Sequence, residues 1–406
     1  MPCAADLSCP GSQVCDTSHS PPVCVDQLGS NSGPGPDSNV QIDGAVTACG
    51  VCADPTPVCD PDSTTCRGCY NDGECGSDVC VEYAGTCVPE PVALYVKNGG
   101  NDSGTCTRAQ PCATITHALS LVDATRFVIK VYDGTYHDAF TASSQFVLSG
   151  ENDGNAAHVF YKNISGHVHL VETDGGSSLV EGVILDGGNQ ETVRVQGGGS
   201  LTMYDVEILD SPIGSVDVVG SSVDLEQVTI HDGQGTEGAI DINGGQLTLE
   251  QGVVYAVTGP CVRATAKYHI ENSFLVGCGG PGFVQAGVPA PGSVFQFNTV
   301  VNNATGAICE APVPLEDTIF AGNGSASPQV TPTCATTYSL FTDTAPTGTG
   351  NISNGNPAFV AADDDHITFQ SAARDKADPA ATLDFDFDGE SRPHGPVRDI
   401  GADEHY

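Results

Sequence analysis

Met203-Tyr204-Asp205-Val206, Leu225-Glu226-Gln227-Val228 and Leu249-Glu250-Gln251-Gly252 repeat one short pattern, apolar positions around a polar or glycine bend. Working outward, Val180-Glu181-Gly182-Val183 precedes them, and Ile270-Glu271-Asn272, Phe297-Asn298-Thr299-Val300 and Leu315-Glu316-Asp317-Thr318 follow. Positions 182, 205, 227, 251, 272, 298 and 317 lie 23, 22, 24, 21, 26 and 19 residues apart. Such a period, built from short β-type segments, predicts stacked coils that each bury an apolar face only against their neighbours. The Asn, Gln and Asp residues of this row are expected to hydrogen-bond the backbone and one another down the stack.

Composition agrees with short strands and tight turns: 49 glycines, no Trp and only 16% charged residues among 406. Thirteen basic residues stand against 51 acidic ones, a formal charge of -38. That surface excludes nucleic acid and anionic lipid as partners, attracts divalent cations and keeps an exported, monomeric chain soluble. No stretch approaches the ~20 apolar residues of a membrane-spanning helix. Eighteen cysteines imply an oxidising compartment, hence a secreted or cell-surface protein. No basic-then-apolar leader follows Met1, so the expectation is a leader already removed, or a fragment of a longer exported chain.

The chain reads as a Cys-rich module at 1–28, a flexible linker at 29–48 and further Cys-rich modules at 49–89. A β-domain at 90–380 and a separate segment at 381–406 follow. Cys3, Cys9, Cys15 and Cys24 form the first cluster, and Cys49, Cys52, Cys59, Cys66, Cys69, Cys75, Cys80 and Cys87 the second. With almost no aliphatic core, disulfides must substitute for packing. A four-thiolate zinc site on Cys49, Cys52, Cys66 and Cys69 is the competing reading, but it strands Cys59 inside the zinc loop. Later cysteines fall in pairs: Cys106 with Cys112, Cys261 with Cys278, and Cys309 with Cys334. The last two spacings are near one coil, where stacked backbones approach within disulfide range. Thr114 to Leu121 has the spacing of a short amphipathic helix, and strands are predicted at Leu94–Val96, Phe127–Val131 and Gln145–Leu148.

Tyr95-Val96, Gly100-Asn101-Asp102, Pro111, Thr114-Ile115 and Ala118-Leu119 together resemble the opening of bacterial right-handed parallel β-helix proteins, the pectate-lyase-like superfold. The resemblance implies an all-β, right-handed parallel β-helix whose first coil is plugged by the short helix. Phe297-Asn298-Thr299-Val300-Val301-Asn302-Asn303 looks like a coil of that family. Asp388-Gly389-Glu390-Ser391-Arg392-Pro393 with Asp399-Ile400-Gly401-Ala402-Asp403-Glu404 resembles the terminal segment that many such exported proteins carry before a surface anchor; here the chain stops at Tyr406. The Cys-rich front resembles spacer modules of myxobacteria-like bacteria. The family spans lyases, hydrolases and proteins without known activity, so the fold does not deliver a function.

Three constellations could carry chemistry. Alternation in Val193-Arg194-Val195, Val216-Asp217-Val218, Ile240-Asp241-Ile242 and Val262-Arg263-Ala264 places Arg194, Asp217, Asp241 and Arg263 outward on one sheet. This is a charge ladder or, in a calcium-assisted polysaccharide lyase, Asp217 and Asp241 as ligands with Arg263 as the base. Aligning Ile184, Ile208 and Ile230 puts Asp186, Asp210 and Asp232 at successive strand ends. These are turn residues or, with Asp210 and Asp232 as the carboxylate pair, a glycoside hydrolase. Asp384, Asp386, Asp388 and Glu390 copy the first half of a calcium loop, although Gly395 stands where a helix-loop-helix site needs Glu. Sequons at Asn101, Asn163, Asn303, Asn323 and Asn351 matter only in a eukaryotic secretory pathway. The leading expectation is a non-catalytic protein for display, adhesion or contact with a polysaccharide or cell-surface glycan. It needs no cofactor, and calcium is the ion expected at the acidic loop.

Overall fold

The computed structural model describes residues 49, 51–53, 56–60, 64–150, 171–188, 190–324 and 329–406, together with the backbone of strands Gln13–Asp16, Val23–Asp26 and Ala157–Tyr161. The side chains of Cys3, Cys9, Cys15 and Cys24, the linker at 29–48 and Asn163 lie outside the described residues. The chain divides into two compact units, Met1–Thr47 and Ala48–Tyr406. In the first, Gln13–Asp16 and Val23–Asp26 pair antiparallel.

The second unit is a parallel β-solenoid with three ladders of strands per stack. In the first ladder Phe140, Val171, Val193, Val216, Ile240, Val262, Phe283 and Ala307 are successive register partners. Leu94, Ile129, Leu148, Val180, Met203, Leu225, Leu249, Ile270 and Phe295 align in the second. The third ladder is a 10-stranded sheet carrying Leu185, Ile208, Ile230, Val254, Leu275, Val300, Phe320 and Phe341. All these side chains are buried, forming one core that runs the length of the stack. Strict alternation makes this possible, because a one-residue slip would turn the apolar set to solvent. The long strands Val216–Glu226 and Ile240–Glu250 run through the corner between the first two ladders and join them into a 17-stranded sheet.

The corner between the second and third ladders needs one residue at positive φ, which explains the repeated bend row. Gly182, Asp205, Gln227, Gln251, Asn272, Phe297, Asp317 and Tyr338 occupy it, with φ between 44° and 63°. The expected row is thus corrected at one point: the bend residue is Phe297, not Asn298. Asn298 is buried, where it accepts from the Ser273 N–H (3.1 Å) and donates to the Ile270 carbonyl (2.9 Å). The row also bonds less down the stack than expected. Gln227 reaches Gln251 at 3.4 Å, but Gln251 and Asn272 donate to the carbonyls of Phe387 (2.8 Å) and Phe385 (2.8 Å) in the closing segment.

The helix Ile115–Ser120 plugs the first coil with Ile115 and Ala118. Thr114 caps it by accepting from the His117 N–H, and Asp102 accepts from the Ala113 and Thr114 N–H groups. The Cys-rich module from 64 to 89 packs on the solenoid: Val79 and Val81 join Ala93, Tyr95, Val128 and Leu179. Its Asp72 pairs with the buried Lys130 at 2.9 Å, and its Glu82 and Tyr83 N–H groups donate to Glu181. Removing either member of the Lys130–Asp72 pair would leave a buried charge, at a cost of about 3–5 kcal/mol.

Every described cysteine is in a disulfide. Cys49–Cys59, Cys52–Cys66, Cys69–Cys80 and Cys75–Cys87 staple the module, so the four thiols of the zinc reading are spent in three separate bonds. Cys106–Cys112 closes the loop before the helix, while Cys261–Cys278 and Cys309–Cys334 link neighbouring coils. Among the described residues no helix is long and apolar enough to cross a membrane.

Candidate functional site

Arg194, Asp217, Asp241 and Arg263 stand in one register on the outer face of the first ladder, as alternation implies. Each aspartate is engaged by its own arginine: Arg194–Asp217 at 2.9 Å and Arg263–Asp241 at 3.0 Å. Burial pushes the Asp241 carboxyl upward, Arg263 pulls it back, and Glu237 and Glu191 add to the rise. The cleft beside Asp217 and Asp241 measures about 20 Å³, room for a water and not for a sugar ring.

Asp210 and Asp232 occupy bends after strands of the third ladder, at φ 53° and 56°. The alignment of Asp186 with them is corrected. Register pairs Leu185, not Ile184, with Ile208 and Ile230, so Asp186 stands opposite Leu209 and Gly187 takes the bend. The reason is the count from the preceding corner: Leu185, Ile208 and Ile230 each lie three residues beyond a positive-φ residue.

The calcium-like loop also does not gather its carboxylates. Asp386 is fully buried, and its carboxylate accepts from the Asp388 (3.0 Å), Glu390 (2.8 Å) and Glu404 (3.0 Å) N–H groups. Asp384 turns to Arg398 at 3.5 Å, and Asp388 faces His366 at 3.1 Å. No three of Asp384, Asp386, Asp388 and Glu390 converge on a common point. The loop instead belongs to a latch. Arg392, buried over the Phe297 ring, donates to the Asp399 and Gly401 carbonyls and pairs with Glu404. Gly401 and Ala402 N–H groups in turn bond Asp317 O and Thr299 Oγ1 of the solenoid.

That latch leaves a groove on the outer face of the third ladder. A cavity of about 720 Å³ lies between Val253, Tyr255, Phe274 and Val276 on the solenoid and the hairpin residues Ala361–His366 opposite them, with Phe387 at one side. Thr229 and Val253 are register partners. A second cleft of about 390 Å³, lined by Glu207, Gln227 and Thr229, therefore abuts it on the adjoining rungs. His231 sits at this junction. Its Nε2 meets Glu207 at 2.8 Å, its Nδ1 meets Asp232 at 2.7 Å, and its ring stacks on Tyr255 at 4.9 Å. Burial lowers the His231 pKa, but hydrogen bonds to Glu207 and then Asp232 outweigh it and raise the balance. The two carboxylates thus bridge the imidazole and favour its protonated form. On the opposite rim, burial and the neighbouring Asp364 push Asp365 up to about 6.

Sequence reasoning singled out Asp232 but assigned no role to His231, Glu207, Tyr255 or His366. Glu207 has a signal in hindsight, since it stands two residues beyond the bend residue Asp205, at an outward position. Tyr255 and His366 come together only through tertiary packing. The sequons are not equivalent either: Asn303 and Asn323 are buried and brace corners, so neither presents an amide for glycosylation.

No curated protein matches the chain. Among solved structures, pectate lyase Pel9A shares 12% identity at a TM-score of 0.46, over 77% of this chain and 96% of its own. A structure of XylC with xylose shares 8% at 0.37, over 76% and 98% respectively. Neither likeness carries an argument about activity. Residues 98–327 match the family described as "Protein of unknown function (DUF1565)". That span is more than half of the chain, and the chain belongs to the DUF1565 family.

Proposed function

We propose that the protein is an exported, surface-held β-solenoid that binds a polysaccharide without cleaving it, through the groove on the third ladder. The observation that carries this reading is Tyr255. It is 37% exposed on the floor of a 720 Å³ groove, between the His231 rung and the acidic hairpin residues Asp363–Asp365. An exposed aromatic face stacks on the C–H face of a sugar, and carboxylates and an imidazole at its edge take hydroxyl groups. With a net charge of -38 and acids on both rims, the ligand is a neutral or amine-bearing glycan and not a polyuronate. Cleavage is disfavoured because Glu207 and Asp232 are bonded to His231, and Arg263 to Asp241. The disulfides support an oxidising compartment.

The test combines a glycan array with a polysaccharide activity panel, run with and without calcium. Binding of a neutral or amino-sugar polymer is expected, lost on Tyr255→Ala, with no unsaturated or new reducing ends. Release of such ends, or equal binding by the Tyr255→Ala variant, overturns the reading.

A further inference from the structure

Four clusters of His, Cys, Asp and Glu bring three ligand atoms within 4.8 Å of one another among the described residues. Two contain Cys69, Cys75 and Cys87 or Cys106 and Cys112, whose sulfurs are in disulfides. A third, Glu250–His269–Glu271, is already closed on itself: His269 bonds Glu271 at 2.8 Å, and Gln296 donates to the same carboxylate.

The fourth is different. His366, Asp388 and Asp403 come from the hairpin strand Asp364–Ile367, the loop after Phe387 and the buried terminal latch. His366 Nδ1 bonds Asp364 at 2.6 Å, which holds the ring with Nε2 facing inward. That nitrogen is shielded from solvent and has no hydrogen bond; Asp388 Oδ2 lies 3.1 Å away but out of alignment. Asp403, 6% exposed, is held in place by the Ile367 N–H at 2.6 Å. An imidazole nitrogen and two carboxylates thus converge, with no hydrogen bond joining the nitrogen to either acid. The Phe274 and Phe387 rings pack against the imidazole, at 5.1 and 5.9 Å between centroids.

We infer that His366 Nε2, Asp388 and Asp403 bind one divalent metal ion of the zinc class, with Asp364 orienting the imidazole from behind. The mixed nitrogen and oxygen set selects zinc or a neighbouring transition metal over calcium, which takes oxygen ligands only. A tetrahedron with bonds of about 2.05 Å holds its ligand atoms about 3.4 Å apart. The His366–Asp388 pair, at 3.1 Å, is close to that spacing, and Asp403 offers an oxygen within 4.8 Å of both. The carboxylate–imidazole–metal order also matches how ligating histidines are fixed generally. The ion would pin the hairpin to the terminal latch at one wall of the groove. This inference does not rest on the glycan reading.

The experiment uses the full chain, stripped with chelator and titrated calorimetrically with zinc and, separately, calcium at pH 7 without any glycan. One zinc per chain is expected, with His366→Ala and Asp388→Asn abolishing it and His269→Ala leaving it unchanged. Asp364→Asn should weaken zinc by about 10- to 100-fold. Asp388 is exposed, so Asp388→Asn keeps the test valid if His366→Ala misfolds. Absence of zinc heat, loss on His269→Ala instead, or equal binding by Asp388→Asn overturns the inference. In that case the cluster is a latch held by a protonated imidazole.

Discussion

Replacing Asp317 by Asn should strengthen the closing latch above neutral pH and leave it nearly unchanged below about pH 4. Asp317 is 2% exposed at the corner where the closing segment docks. Burial raises its carboxyl from the ordinary 3.8 to about 7; the Asp378 N–H and Arg392 oppose the rise, and the Asp378 and Glu316 charges add to it. A carboxyl whose pKa is higher folded than unfolded binds its proton more tightly when folded. Its favourable contribution is therefore complete below about pH 4 and is lost as pH climbs through about 7. At about 1.36 kcal/mol for each pH unit, the ionised group costs the folded chain about 4 kcal/mol at pH 8. Asparagine keeps the Oδ1 that accepts from the Asp378 N–H at 2.6 Å and tolerates the φ of 47°. Urea midpoints at pH 5 and pH 8 give the comparison, and hydrogen exchange at the Asp378 and Gly401 amides reports locally. The wild-type chain should lose stability between the two values, and the Asn variant should lose distinctly less. Parallel pH profiles for the two proteins would refute the assignment of that cost to Asp317.

Three further outcomes follow from the same geometry. Asn303 satisfies the Cys278 N–H and the Leu275 carbonyl, both at 2.8 Å, inside a corner. At about 1–3 kcal/mol for each orphaned buried group, Asn303→Ala should destabilise by about 3 kcal/mol in denaturant titration. The Cys261–Cys278 bond closes a 17-residue separation. Its removal as a double Ser variant should cost about 3 kcal/mol by chain entropy, seen as a lower melting temperature without change in far-ultraviolet circular dichroism. At Gly245, φ is +88° and an added Cβ would lie 1.7 Å from the Ser221 carbonyl oxygen of the coil below. Gly245→Ala should therefore cost on the order of 2–3 kcal/mol and expose the neighbouring coils to proteolysis.

The stacked architecture was readable from the chain alone because a solenoid is built from nearest-neighbour contacts. Alternation within Val216-Asp217-Val218 or Ile240-Asp241-Ile242 decides which residues point inward, and the period decides what lies above them. Hence the Arg194, Asp217, Asp241 and Arg263 ladder, the plug at Ile115–Ser120 and the coil-to-coil cysteine pairs could all be placed from sequence. Where register depended on a single corner residue, local reading slipped by one, as at Ile184 against Leu185. At Phe297 it named the neighbour, because nothing in an aromatic side chain announces a positive φ; the Arg392 guanidinium stacked over the ring is part of the packing that holds it there.

The groove belongs to the other kind of information. Tyr255 meets the hairpin residues Ala361–His366 across more than a hundred residues, and Asp386, spaced like a cation ligand, is instead drawn inward to satisfy three backbone amides. Local spacing and period were enough to set the coils, since each residue's environment there is made by its own strand and the two beside it. Which acids stay open, which are spent in latches and where an aromatic face remains exposed were decided only when the closing segment folded back over the stack, a contact that no periodicity encodes.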